Sequence, residues 1–216
     1  ERETTMRRNA IVAGVGMTKF GKHMDRGMKS IGAEAVTAAI KDAGLENSDL
    51  EAAYVGNAAA GLVTGQECIR GQVVLRDAGI GRIPVINVEN ACASASTAFN
   101  QASAMVSAGC YDVVLALGVE KLYHEDKRKS FAAFSGAVDV EALVEIKAKL
   151  AAKAAAKGAD KAASGAGEKR SMFMDIYAAG ARAYMEKYGA TAEDLAGVSA
   201  KNSFHGSMNP RAQFMD

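Results

Sequence analysis

Three cysteines and three histidines are the side chains in this sequence with the widest chemical repertoire, and their spacing already sorts them. Cys68, Cys92 and Cys110 form no Cys-x-x-Cys pair. His23, His124 and His205 are too far apart for a local metal-ligand pattern, so no metal site is expected. Cys92 has the most telling context. It lies in NVENACASASTAFN, where an apolar run gives way to small residues with helical character. A thiolate, not a thiol, is the nucleophile, and an ordinary thiol with pKa ~8.5 is only a few per cent ionised at pH 7. The start of a helix, with its unpaired amides and the positive end of its dipole, favours the anion. Cys92 is therefore the candidate nucleophile, with a buried core cysteine as the plain alternative. Cys68, near Ile69 and Val73, and Cys110, just after Gly109, read as packing residues. His23 reads as a solvated loop residue, His124 as part of a charged run, and His205 as a turn residue within KNSFHGSMNP. The stretch GVGMTKFG is no dinucleotide loop, because Lys19 stands where the third glycine belongs and no helix starts there. Walker loops and a G-x-S-x-G elbow are absent from the sequence.

Positioning such a cysteine requires strands and helices in a particular order. The apolar run NAIVAGV predicts a first strand over 8–15, buried on both faces. A helix follows over 30–43, with Ile31, Ala35, Val36, Ala38 and Ala39 as its stripe and Gly44 as its stop. EAAYVGNA is a second strand, 66–77 a second helix and IPVINVEN a third strand, with Pro84 fitting only its start. The third helix spans 92–108, and YDVVLALGVEKL is a fourth strand. This βαβαβαβ order predicts an α/β fold, a parallel sheet with helices on its faces. In the third helix Ala95, Ala98, Phe99, Ala102, Met105 and Val106 recur with helical period, and Ser94, Ser96, Ser103 and Ala104 between them are also small. A helix small all round suits a buried central position between two layers.

After Leu122 the composition turns rich in Ala, Lys and Gly, which predicts an excursion from the sheet over 123–174. Within it, 139–157 reads as a charged amphipathic helix and GADKAASGAGEKR as a flexible connector. A helix over 175–188 is ended by Gly189, and Thr191 caps a short further helix with Glu193 in its first turn. The three expected segments are thus 1–122, 123–174 and 175–216.

Bulk properties exclude several functions. With 26 Lys and Arg against 25 Asp and Glu, the net charge of +1 leaves no electrostatic footprint for nucleic acid or anionic lipid. No apolar run approaches the roughly 20 residues of a membrane span. The opening ERETTMRRNAIVAG has no signal-peptide core, Met6 reads as the natural start, and three unpaired cysteines suit a reducing cytoplasm.

At the cysteine block a family becomes visible. NVENACASASTAFNQASAMVSAGCYDVVLALGVEKL resembles the nucleophile segment of thiolases, in the branch of sterol-carrier-protein-type (lipid-transfer) thiolases. AIVAGVGMTKFGKH is similar to the opening of that branch, and YAAGARAYMEKYGATAEDLAGVSAKNSFHGSMNPRAQF to the segment after its loop region; the likeness is weakest over 138–170. The resemblance implies a layered thiolase-like fold, a βαβαβ half with a buried central helix, incomplete without a second half. It implies that 1–122 is the nucleophile-bearing half, 123–174 the loop domain shaping a coenzyme A tunnel, and 175–216 a truncated return towards the core.

The chemistry implied is acyl transfer. Cys92 would cleave a 3-oxoacyl-CoA through an acyl-enzyme and pass the acyl group to a second CoA, so coenzyme A is a substrate and no cofactor is needed. Asn202 and His205 would lie near the substrate, although Ser203 stands where the family often has histidine. The general base and second cysteine belong to the family's other half, so this chain reads as a fragment, one product of a split chain, or a subunit needing another. A homodimer or larger assembly is implied, and a small OB-fold zinc-ribbon acyl-CoA-binding partner accompanies bacterial members. Two other readings stand beside this one: a thiolase-like aldolase acting on 3-hydroxyacyl-CoA, and a non-catalytic acyl-CoA-binding scaffold.

Overall fold

Alternation along one strand decides the layering. The computed structural model describes residues 9–142, 144–145, 148–149, 152 and 172–214. Strand β1 (Ala52–Gly56) is buried along its whole length, which requires cover on both faces. It is flanked by two parallel neighbours, β2 (Val85–Val88) and β3 (Val114–Gly118), in the order β2-β1-β3. Tyr54 pairs in register with Ile86 on one side and Ala116 on the other, and Gly56 with Val88 and Gly118.

Ala53 and Val55, with Leu115 and Leu117, point to a layer made by α1 (Met28–Ala43) and α3 (Arg70–Asp77). Met28, Val36, Ile40, Val74 and Leu75 fill that side. Burying such a side chain contributes about 1.5–3 kcal/mol before entropy is counted. Tyr54 and Val88 point the other way, against Ala98 and Ala102 of α4 (Ser94–Ser107). That second interface is thin because its helix is built from small residues. On the far side of α4, Ser96, Phe99, Asn100 and Ala104 are exposed, so the second covering layer expected over this helix is not supplied by residues 9–137.

Helix α1 ends as expected at Gly44, whose φ of 67° is easy only without a Cβ, with Leu45 N–H reaching back to the Ile40 carbonyl. A short helix, α2 (Ala60–Thr64), follows β1, and α5 (Lys127–Ser135) packs against it. The sequence held no local signal for α2.

The first predicted strand does not form. Over 9–20 the chain has no regular structure, and Ile11, Val12, Val15 and Phe20 are exposed. The segment is drawn onto α1 instead of the sheet. A Cβ on Gly14 would lie 2.5 Å from the Ala39 carbonyl oxygen, one on Gly16 would meet that of Ala35, and Val15 N–H donates to Asp42 at 2.8 Å.

Packing divides the chain into 1–137 and 138–216. The division falls inside the stretch 123–174 that composition had set apart. In the second unit lie α6 (Met172–Tyr188) and α7 (Ala192–Ser207). Helix α7 is longer than expected and opens with a capping box in which Thr191 and Asp194 exchange hydrogen bonds. The helix expected over 139–157 lies largely outside the described residues, and the connector 158–170 entirely so.

Candidate active site

Because the three strands are parallel, their C-terminal ends share one rim, the place where sheets of this kind expose reactive groups. Strand β1 leaves it at Gly56–Asn57, β2 at Val88–Glu89–Asn90, and β3 at Gly118–Val119–Glu120. The chain from β2 makes one turn of 3₁₀ helix, Ala91–Ala93, and enters α4. Cys92 is the middle residue of that turn and is exposed. The sealed hydrophobic pocket that an inert core cysteine would occupy is not where it lies.

Two glycines set the height of this turn above the sheet. A Cβ on Gly56 would lie 2.6 Å from the backbone carbon and oxygen of Ser94, and one on Gly118 would lie 2.5 Å from the Ala95 Cβ. The first turn of α4 therefore rests directly on the rim. The small residues following Cys92 are what allow this approach.

The turn is held by side chains that sequence reasoning passed over. Ala91 has φ 44°, a left-handed conformation that costs a non-glycine residue about 1–2 kcal/mol. Its amide donates to Glu89 Oε1 at 2.6 Å. The buried Ser94 hydroxyl accepts from the Asn90 amide at 2.8 Å and donates to the Ala91 carbonyl at 2.8 Å. Asn90 Nδ2 donates to Thr97 Oγ1 at 2.9 Å. The sequence marked Ser94 only as one of the small residues of the helix, and nothing in it announced the bonds among Asn90, Ser94 and Thr97.

Farther along the rim, Glu120 ties β3 to the β1–α2 connection. Its carboxylate accepts from the amides of Ala58 at 3.1 Å and Ala59 at 3.0 Å, and from Asn57 Nδ2 at 3.1 Å. Asn57 is buried and also donates to the Val119 carbonyl at 2.6 Å, while its Oδ1 has no hydrogen-bond partner among the described residues. These partners lie more than sixty residues apart, which is why no local spacing announced them. Next to Glu120, the Lys121 ammonium donates to the carbonyls of Lys22 and His23. Burial lowers its pKa below the usual lysine value, with Arg26 adding to the effect and Asp25 opposing it.

The other sequence candidates stand elsewhere. Cys68 and Cys110 do not pack as expected, and both are exposed. Cys68 lies in a bend before α3, and Cys110 follows the αL glycine that ends α4, each outside the faces that the helices bury. His23 Nε2 donates to the Lys19 carbonyl at 2.6 Å, and His124 Nδ1 accepts from the Asp126 amide at 3.0 Å. His205 is not in a turn. It occupies the last turn of α7, three residues after Asn202, so the two share a helix face, and both belong to the second packing unit. Among the described residues no cluster of His, Cys, Asp or Glu could hold a metal ion, and no helix is long and apolar enough to cross a membrane.

Comparison with known proteins covers nearly all of the chain. Residues 10–216 match the model of the thiolase N-terminal domain. An acetyl-CoA acetyltransferase of Methanothermobacter thermautotrophicus is 37% identical over 207 residues, covering 96% of this chain and 47% of that protein. Sterol carrier protein 2 of Gallus gallus is 32% identical over 211 residues, covering 97% and 35%. Among solved structures, the Ltp2-ChsH2(DUF35) aldolase aligns with a TM-score of 0.61 at 29% identity, covering 98% of this chain and 47% of that one. The chain thus spans about half the length of the acetyltransferase it matches.

Proposed function

The chain belongs to the thiolase family, and from that premise we propose that it is the nucleophile-bearing part of a thiolase-type acyltransferase with Cys92 as the acyl acceptor. The observation that supports this most is the seat of Cys92: an exposed thiol, on a strained turn, at the rim where three parallel strands end and α4 begins. In the forward reaction the Cys92 thiolate attacks the keto carbon of a 3-oxoacyl-CoA. The bond to the α-carbon breaks, its electron pair leaves as the enolate of acetyl-CoA, and a proton completes that product. The acyl group stays on sulfur as a thioester until the thiol of a second CoA attacks and releases Cys92. Covalent capture of this kind divides one difficult carbon–carbon cleavage into two easier steps. Amides in the first turn of α4 favour negative charge at the reacting centre.

On this reading the proton transfers fall to the family's other half, carried on the same chain or on a second subunit. Association of two copies through a sheet edge, and a reducing cytoplasm for three free thiols, belong to the same reading. The solved neighbour pairs Ltp2 with ChsH2(DUF35) in its name, which supports a search for an acyl-CoA-binding partner protein here.

A second reading rests on that same neighbour, which is an aldolase. Cleavage of a 3-hydroxyacyl-CoA by retro-aldol chemistry needs no acyl-enzyme. Intact-mass and peptide mass spectrometry after incubation with acyl-CoA separates the two. Acyl-transfer chemistry leaves a thioester on Cys92 and none on Cys68 or Cys110. A Cys92→Ala assembly that still cleaves its substrate at full rate points to the aldolase, and a chain that binds acyl-CoA with no adduct on any thiol points to a scaffold.

A further inference from the structure

We infer that Ser94 and Asn90 are positioning residues for Cys92, acting through the backbone of the turn that carries it; the inference rests on the reading of Cys92 as the acyl acceptor. The Ser94 hydroxyl spans Ala91 from both sides, accepting from the amide before it and donating to its carbonyl. One hydroxyl thus closes a ring around the residue with φ 44°, immediately before the nucleophile. A left-handed alanine persists only where its surroundings over-determine it. Here the Ser94 bridge, the Glu89 carboxylate on the Ala91 amide and the Asn90–Thr97 strap supply that constraint. Ser94 is buried, so water cannot replace its hydroxyl in full; removing it leaves the Asn90 amide short of a partner, while the Ala91 carbonyl keeps only the Ser94 amide. Relaxation of Ala91 out of the left-handed region swings the Cα–Cβ bond of Cys92, and misplacement of a reacting group by about 1 Å costs up to ~100-fold in rate.

The test uses the two other exposed thiols as standards within the same molecule. Iodoacetamide labelling of the full chain is followed at Cys92, Cys68 and Cys110 by peptide mass spectrometry, alongside the rate of acyl-thioester formation. In Ser94→Ala the labelling of Cys92 relative to the other two falls roughly tenfold or more, and acylation falls with it. In Asn90→Ala, which removes only the strap to Thr97, the fall is smaller. Loss of fold gives a different signature, since unfolding brings all three thiols to a common rate. A folded Ser94→Ala chain with the unaltered Cys92 ratio overturns the inference. Should Ser94→Ala fail to fold, an unaltered ratio in Asn90→Ala does the same. An unsubstituted chain whose Cys92 takes no acyl group removes the acyl-transfer reading, while the labelling ratio still decides the roles of Ser94 and Asn90.

Discussion

At the scale of single residues, exposure does not distinguish the three thiols, since all are exposed. What sets Cys92 apart is its seat, and the sequence carried that much: a lone cysteine followed by Ala93, Ser94, Ala95 and Ser96 announces a helix start that can be approached closely. The bonds of Ser94 were not legible, because a serine at that point is equally consistent with a plain helix entry. Another residue-level device lies beyond β3. Asp126 caps α5 by accepting from the Arg128 amide at 3.1 Å, and the Arg128 guanidinium grips both carboxylate oxygens at 2.9 Å. These bonds hold its carboxyl down to about 2. A depressed carboxyl supports the fold above its unfolded pKa, and that support is lost as pH falls through the folded value. Carboxyl carbon chemical shifts of Asp126 are therefore expected to titrate well below those of exposed aspartates. In Arg128→Ala the midpoint moves up towards the ordinary range.

At the scale of elements, the parallel strands and the helices between them follow from periodicity and glycine stops, and 28–43, 94–107 and 172–188 all lie within a few residues of expectation. Two failures have physical causes. The apolar run over 9–15 has every local mark of a strand, but strand formation needs an edge to pair with, and Gly14 and Gly16 bring this segment against the α1 backbone instead. Helix α2 is entered through Ala58 and Ala59, whose amides are held by Glu120, a partner that lies just past another strand. The seating of α4 gives the clearest element-scale prediction. Gly118→Val pushes the first turn of α4 off the rim, costs about 1–3 kcal/mol in urea unfolding, and changes the labelling ratio at Cys92. Gly81→Ala serves as the control, because a Cβ there meets nothing within 4 Å, and both readouts stay where they were. On the opposite face Leu75→Ala opens a cavity behind β1 and costs about 2–5 kcal/mol. It leaves the labelling ratio of the surviving folded fraction intact, since α4 lies across the sheet from it.

At the scale of the whole molecule, every group that seats Cys92 lies before residue 138. The three strands, Gly56, Gly118, Glu89, Asn90, Ser94 and Thr97 all belong to the first packing unit, whereas Asn202 and His205 belong to the second. The boundary was not readable from the change in composition after Leu122, because α5, though charged, packs back against α2. Such a division makes the thiol's behaviour portable. A chain ending at Ala137 should retain the Cys92 labelling ratio of the longer one, and a collapse of that ratio on shortening would mean that the second unit helps to tune the sulfur. Residues 1–137 would then act as a cartridge, carrying the reactivity of the Cys92 thiol with them into whatever chain they are joined to.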